Sequence, residues 1–259
     1  MSGSDAVSTD GPHLMPKDRP AYRYMMRAIA LRDQHTAPLF APLLTLLLSS
    51  PTPPPTYTQL KQGIEARRLA FQRSHAAADS AGQVLVLDSA RDYLFDRITL
   101  DLLPAWHGTA WDFNGMTRVP RQGTIACGYF VNTVLLDAGF RLPRIKWSQE
   151  AAEPITLKLA GTVKRFRDRP ASEVEAWVLG RGDGLYKVGL DSHVGFIVVR
   201  GGVASFVHSN YYRQEVGVME EPMEGNNPLA HSRYRIVGSL LDDPMMRDWV
   251  TGRDLAAPR

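Results

Sequence analysis

The chain uses cysteine once, at Cys127, inside RQGTIACGYFVNTVLLDAGF, residues 121 to 140. Apolar residues recur at helical spacing from Ile125 to Ala138, and Gly139 suits the left-handed position that closes a helix. Cys127 therefore falls in the first helical turn, just beyond Thr124, a candidate cap. A thiolate is the reactive form of cysteine, and a helix N-terminus favours it through unpaired N–H groups and the helix dipole. Those amides, with that of Gly128 among them, can also receive the oxyanion that develops when sulfur attacks an acyl carbon. Gly128 removes bulk beside the sulfur. A free cysteine is usually a small buried apolar residue, so a nucleophile reading needs a base.

Among seven histidines, two stand in a pattern that can supply one. HVGFIVVRGGVASFVHSN, residues 193 to 210, reads as two strands around Gly201-Gly202, a pair that accepts the positive φ angles of a tight hairpin. A two-residue turn sets Arg200 against Val203, which counts Asn210 opposite His193 and His208 diagonal to it. All three then share a face. A three-residue loop would bring Ser209 opposite instead. The candidate catalytic set is Cys127 as nucleophile, His193 as base, and His208 as the residue that orients the imidazole, with Asn210 as the alternative.

The elements that must hold these residues can be read outward from them. Residues 1–20, rich in Ser, Asp, Gly and Pro, are expected to be a flexible leader. Helical spacing runs from Tyr22 to Leu48, and SSPTPPPT at 49 to 56 stops it. A partly exposed amphipathic helix follows at 57–81, then another from about Asp88 to Leu103, capped by Asp88 or Ser89 and ended by Pro104. Residues 21–104 thus form a helical extension and 105–245 a catalytic domain, with a tail at 246–259. The segment 105–123 is dense in aromatic, Gly and Pro residues and reads as an ordered loop, where Trp111 and Phe113 can line a substrate groove together with Tyr129. Residues 153–179 stay undecided between strand and helix. A strand is expected near Tyr234 to Leu240.

Composition excludes several function classes. A lone cysteine rules out an intrachain disulfide framework and a cysteine-rich zinc site, and no HExxH spacing appears, so no metal and no cofactor are expected. The net charge of +3 with pI near 9.0 comes from Arg and Lys scattered among acidic residues, which argues against a nucleic-acid partner. The longest apolar run, residues 37 to 50, contains two prolines and is shorter than a membrane span. With no Sec-type signal, the expected location is cytoplasmic, signal-independent secretion remaining open.

Three segments in order, ACGYFV at 126–131, HVGFIVV at 193–199 and SFVHSN at 205–210, resemble the NlpC/P60 branch of papain-like cysteine peptidases over residues 105 to 212. The resemblance implies an α+β fold in which a Cys-bearing helix packs on an antiparallel sheet. It makes Cys127 the nucleophile, His193 the base and His208 the orienter. It also implies a cysteine hydrolase cleaving a peptide-type amide, most often in bacterial peptidoglycan, and it offers Gln122 as a side-chain oxyanion donor. The chain departs from the family pattern around the nucleophile, where Ala126 replaces an Asp and Gly128-Tyr129 replace Ser-Gly, so the family's cleavage specificity is not inherited. A thioester-forming acyltransferase and a catalytically silent papain-like binding module remain the alternatives, and the helical extension is a candidate surface for a protein partner.

Overall fold

Residues 55–257 are described by the computed structural model. The expected leader, the helix from Tyr22 to Leu48 and the connector up to residue 54 lie outside the described residues. The fold is α+β, helices packed with an antiparallel sheet. No helix among the described residues is long and apolar enough to cross a membrane.

Helix α1, Tyr57–Ala77, starts at a capping box: the Thr56 hydroxyl accepts from the Gln59 amide and the Gln59 side chain accepts from the Thr56 amide. Asp79 then caps α2, Ser80–Asp96, by accepting from the Gly82 amide at 2.8 Å. The second helix therefore begins well before Asp88. Nor does Pro104 end the helical run. A π-helical stretch, Arg97–Leu102, closes with the Leu103 amide donating to the Ile98 carbonyl, and Pro104 falls in the first turn of a restarted helix α3, Leu103–Trp106, where its missing N–H costs little.

The helices that follow are α4 (Cys127–Asp137), α5 (Arg144–Gln149), α6 (Ala152–Leu159), α7 (Ala171–Leu179), α8 (Pro228–His231) and α9 (Asp243–Thr251). The undecided segment resolves into α6, a strand β1 (Val163–Arg167) and α7, so EVEAWVL is helical. The other strands are β2 (Gly184–Leu190), β3 (Val194–Arg200), β4 (Val203–Ser209), β5 (Val218–Pro222) and β6 (Tyr234–Ser239). They form one sheet of order β1-β6-β2-β3-β4-β5, every neighbouring pair antiparallel.

The β3–β4 hairpin has the two-residue turn read from the sequence. Arg200 pairs with Val203, and Gly201 and Gly202 take φ of 60° and 78°. Asp183 accepts from the Gly201 amide at 2.9 Å and pins the turn.

Side-chain alternation gives the sheet two apolar faces. Leu185, Phe196, Val198 and Val207 join a core with α1 to α4 and α9, while Tyr186, Ile197, Val199 and Phe206 join a second core with α7. Residues on both sides of the expected border at 104 share the first core: Ile64, Leu94, Ile98 and Trp106 pack with Phe130 and Phe196. So do Met246 and Trp249 of α9, in the expected tail. The Tyr57 hydroxyl donates to Asp137 at the end of α4 at 2.7 Å, and the Trp106 indole donates to Tyr57, also at 2.7 Å.

Candidate active site

Helix α4 begins at Cys127. Its N-cap is Ala126, not Thr124, and no side chain caps it. The carbonyl of Thr124 is used instead as acceptor for the Thr117 amide in the preceding loop. The uncapped helix end leaves its first amides for the sulfur, and backbone N–H groups of Val194, Gly128 and Cys127 are directed at it. Burial is the larger effect, and it pushes the thiol pKa up; those amides and the Lys187 ammonium pull it partly back. The resting thiol is therefore protonated at neutral pH.

Ser209 at the end of β4 donates to the Ile125 carbonyl at 2.6 Å and ties the sheet to the entry of α4. On the other side, α4 meets the end of α5 so closely that a Cβ on Gly128 would lie 2.6 Å from the Ser148 carbonyl oxygen. That atom belongs to backbone and cannot swing aside. Gly128→Ala is expected to cost about 1–3 kcal/mol and to move the nucleophile; urea denaturation together with the alkylation rate of Cys127 checks both.

His193 sits one residue ahead of β3 and is buried. Its Nε2 lies 2.8 Å from His208 Nδ1, and His208 Nε2 lies 2.7 Å from a Glu221 carboxylate oxygen. The carboxylate can only accept, which assigns the proton of neutral His208 to Nε2 and leaves Nδ1 bare. His193 then donates through Nε2–H, and its own Nδ1 carries a free lone pair. That nitrogen is buried and has no hydrogen-bond partner among the described residues. The second carboxylate oxygen of Glu221 is paired with Arg213.

Burial, then the neighbouring His208, drives the His193 pKa well down; burial lowers that of His208 too, against the pull of Glu221. Both rings are therefore neutral near pH 7. A histidine whose folded pKa lies below the unfolded value of about 6.5 takes up its proton more readily in the unfolded chain. Its contribution is intact above that pH and is lost as the pH falls through the window beneath it. Stability should decline below pH 6.5 by up to about 1.4 kcal/mol per pH unit for each histidine. Urea midpoints measured from pH 7.5 to 5 check this; a flat series would contradict it.

Asn210 does not take the orienting place. It accepts from the Tyr212 amide at 2.7 Å, and its amide group reaches Met219 and, at 3.5 Å, Glu221. The hairpin register is as expected, yet the diagonal residue, His208, is the one that meets His193. Glu221, the anchor of the relay, was not apparent from the sequence.

A cavity of about 650 Å³ is bordered by Cys127, Gly128, Asn132, Phe113, Lys187 and His193, among others. Nucleophile and imidazole thus share one cavity, without a sulfur–imidazole hydrogen bond. The reason lies in strand phase. Helix α4 packs on the sheet face of Phe196 and Val207, whereas the His208 ring stacks on Phe206 (4.1 Å between centroids) and belongs with the α7 face. Helix and relay flank the sheet from opposite faces and reach the cavity at the end of β3.

The remaining groove and oxyanion candidates divide. Phe113 borders the cavity and is 78% exposed. Trp111 borders a separate hollow with Tyr211 and Tyr212. Tyr129 is buried, its ring under the Arg144 guanidinium at 4.9 Å and its hydroxyl accepting from Gln149. Gln122 is exposed in a turn between the left-handed Arg121 (φ 60°) and Gly123 (φ 70°), and it does not border the cavity. Among the described residues, no group of three or more His, Cys, Asp or Glu converges as a metal site. Compared with family models, curated proteins and solved structures, the chain matches none.

Proposed function

We propose that this protein is a cysteine hydrolase cleaving a peptide-type amide through a thioester, with peptides of bacterial cell wall as the first substrates to try. In this reading Cys127 attacks the carbonyl, His193 Nδ1 accepts the thiol proton and returns it to the leaving amine, and the amides at the start of α4 hold the oxyanion. Water then releases the acyl group with His193 again assisting. His208 and Glu221 fix the ring and its tautomer. The papain-like assignment belongs to the same proposal and rests on the order of helix, histidine strand and orienting strand.

The observation that carries the reading is the chain from Glu221 through His208, which leaves a bare, unpartnered nitrogen on the imidazole of His193, a residue bordering the cavity that also holds Cys127. Catalytic hydrogen bonds commonly tighten only around bound substrate, so the missing sulfur contact is compatible with it. A silent binding module draws support from that missing contact and from the protonated thiol. A thiol-directed probe separates the two. Labelling of Cys127 that disappears in His193→Ala supports hydrolysis; slow labelling unchanged in the variant supports the silent module. Mass spectrometry of digested peptidoglycan and of a peptide library then names the scissile bond, and product on an acceptor other than water would mark acyl transfer.

A further inference from the structure

Lys187 lies at the centre of β2 with its side chain on the α4 face of the sheet, bordering the cavity that holds Cys127. It is 2% exposed. Its ammonium donates to the Ala152 carbonyl at 2.9 Å and to the Thr156 hydroxyl at 2.7 Å, both neutral acceptors, and among the described residues it forms no salt bridge with a carboxylate. An ammonium has three donors, so one remains. A buried cation without a counter-ion is a costly arrangement that calls for a function.

A second, independent feature borders the same cavity. Asn132 of α4 is 3% exposed, and its amide nitrogen donates to the Gly128 carbonyl and the Ser148 hydroxyl. Its Oδ1 is buried and has no partner among the described residues. Two buried residues on the border of this cavity thus each keep a spare polar group beside the thiol, a cationic donor on Lys187 and an acceptor on Asn132, while Arg167, Glu150, Glu153 and Asp191 also border it. A carboxylate satisfies the first, and an amide N–H satisfies the second.

We propose that this cavity binds an acyl substrate carrying a carboxylate close to the scissile amide, the carboxylate held by Lys187 and an amide N–H read by Asn132. The inference deepens the hydrolase reading and rests on the cavity being the substrate site. Of the other charges bordering the cavity, Glu153 of α6 is taken by Arg165 and Tyr234, Asp191 accepts from the Arg233 and Tyr234 amides, Arg167 is exposed with its guanidinium over the Tyr234 ring, and Glu150 lies on the half-buried link between α5 and α6. His193 is neutral, which leaves the Cys127 thiol as the one titrating neighbour. Burial lowers the Lys187 pKa to about 7, so the anion site is charged below that pH and fades above it.

The test compares alkylation of Cys127 by iodoacetate, which carries a carboxylate, with alkylation by neutral iodoacetamide. The ratio of the two rates should be roughly tenfold higher in the wild-type chain than in Lys187→Met, a change worth about 1.4 kcal/mol in the barrier. Removing an unpaired buried charge should leave the variant folded, and its circular dichroism and melting point verify that. In the wild-type chain alone, the ratio should fall as the pH rises from 6 to 8.5. Equal ratios in both proteins, or a ratio independent of pH, would overturn the carboxylate site. Failure of both reagents to label Cys127 would instead overturn the hydrolase reading and the inference with it. Labelling by iodoacetamide without anion preference sinks the inference alone.

Discussion

Cys127→Ala is expected to abolish amide cleavage, lowering turnover by about 10⁴-fold or more, while the chain still folds. Cys127 retains some exposure as a residue, and its sulfur is approached by backbone amides of Val194, Gly128 and Cys127 itself. Its removal leaves two of those amides at the start of α4 and the third, of Val194, at the start of β3 on the cavity border, where water can serve them, so the stability change should stay within about 1 kcal/mol. Product analysis on cell-wall peptides beside a thermal melt measures both. Activity equal to wild type in this variant would end the thioester scheme whatever the fate of the histidines, because no second cysteine exists to replace it.

Loss of His208 is expected to be the next largest effect, about 10²–10³-fold in kcat/KM. His208→Ala strands two partners at once: His193 Nε2 loses its acceptor, and Glu221 keeps only Arg213 with the weak reach of Asn210. Freed from the tautomer lock, His193 can place its proton on Nδ1, the nitrogen that must be bare. The pH dependence of kcat therefore distinguishes a tautomer effect from simple loss of packing, since a packing defect leaves the profile in place. Asn210→Ala should change kcat/KM by roughly threefold at most, because its main bond is to the Tyr212 amide. The opposite ranking of the two variants would mean that the working register of the hairpin differs from the one described.

Legibility in the sequence followed local chemistry closely. Gly201-Gly202 announced its turn because few other residues tolerate two successive left-handed angles, and the turn then fixed which residues face each other for the length of β3 and β4. Cys127 at a helix start followed from periodicity together with Gly139, which does adopt φ 93°. The relay's third member was hidden because β5, VMEEP, is short and polar at its end, and nothing local marks Glu221 as inward. Lys187 was hidden differently. GLYKVGL is buried from Leu185 onward, and a charge at its centre reads as solvated unless the neighbouring helix supplies acceptors, which α6 does through Ala152 and Thr156. Helix α9 was missed: Asp242, Pro244 and Gly252 mark its start and stop, but the segment reads as a polar tail because its core role depends on α1 and α2, from which it is far in sequence. The opposite placement of helix and relay depended on one residue of strand phase, that of His193 with Gly195, which only the assembled sheet reveals.

The hydrogen-bonded path from Trp106 through Tyr57 to Asp137 bears on how this protein can be cut. A version pared down to residue 105 onward would keep every atom of the proposed chemistry and lose the phenol that clamps the far end of the nucleophile's helix. It would also strip a layer of leucine and isoleucine from beneath Phe130. Shortened forms intended for assay must retain the chain from Pro55, since what looked like an appendage is the floor on which the reactive helix stands.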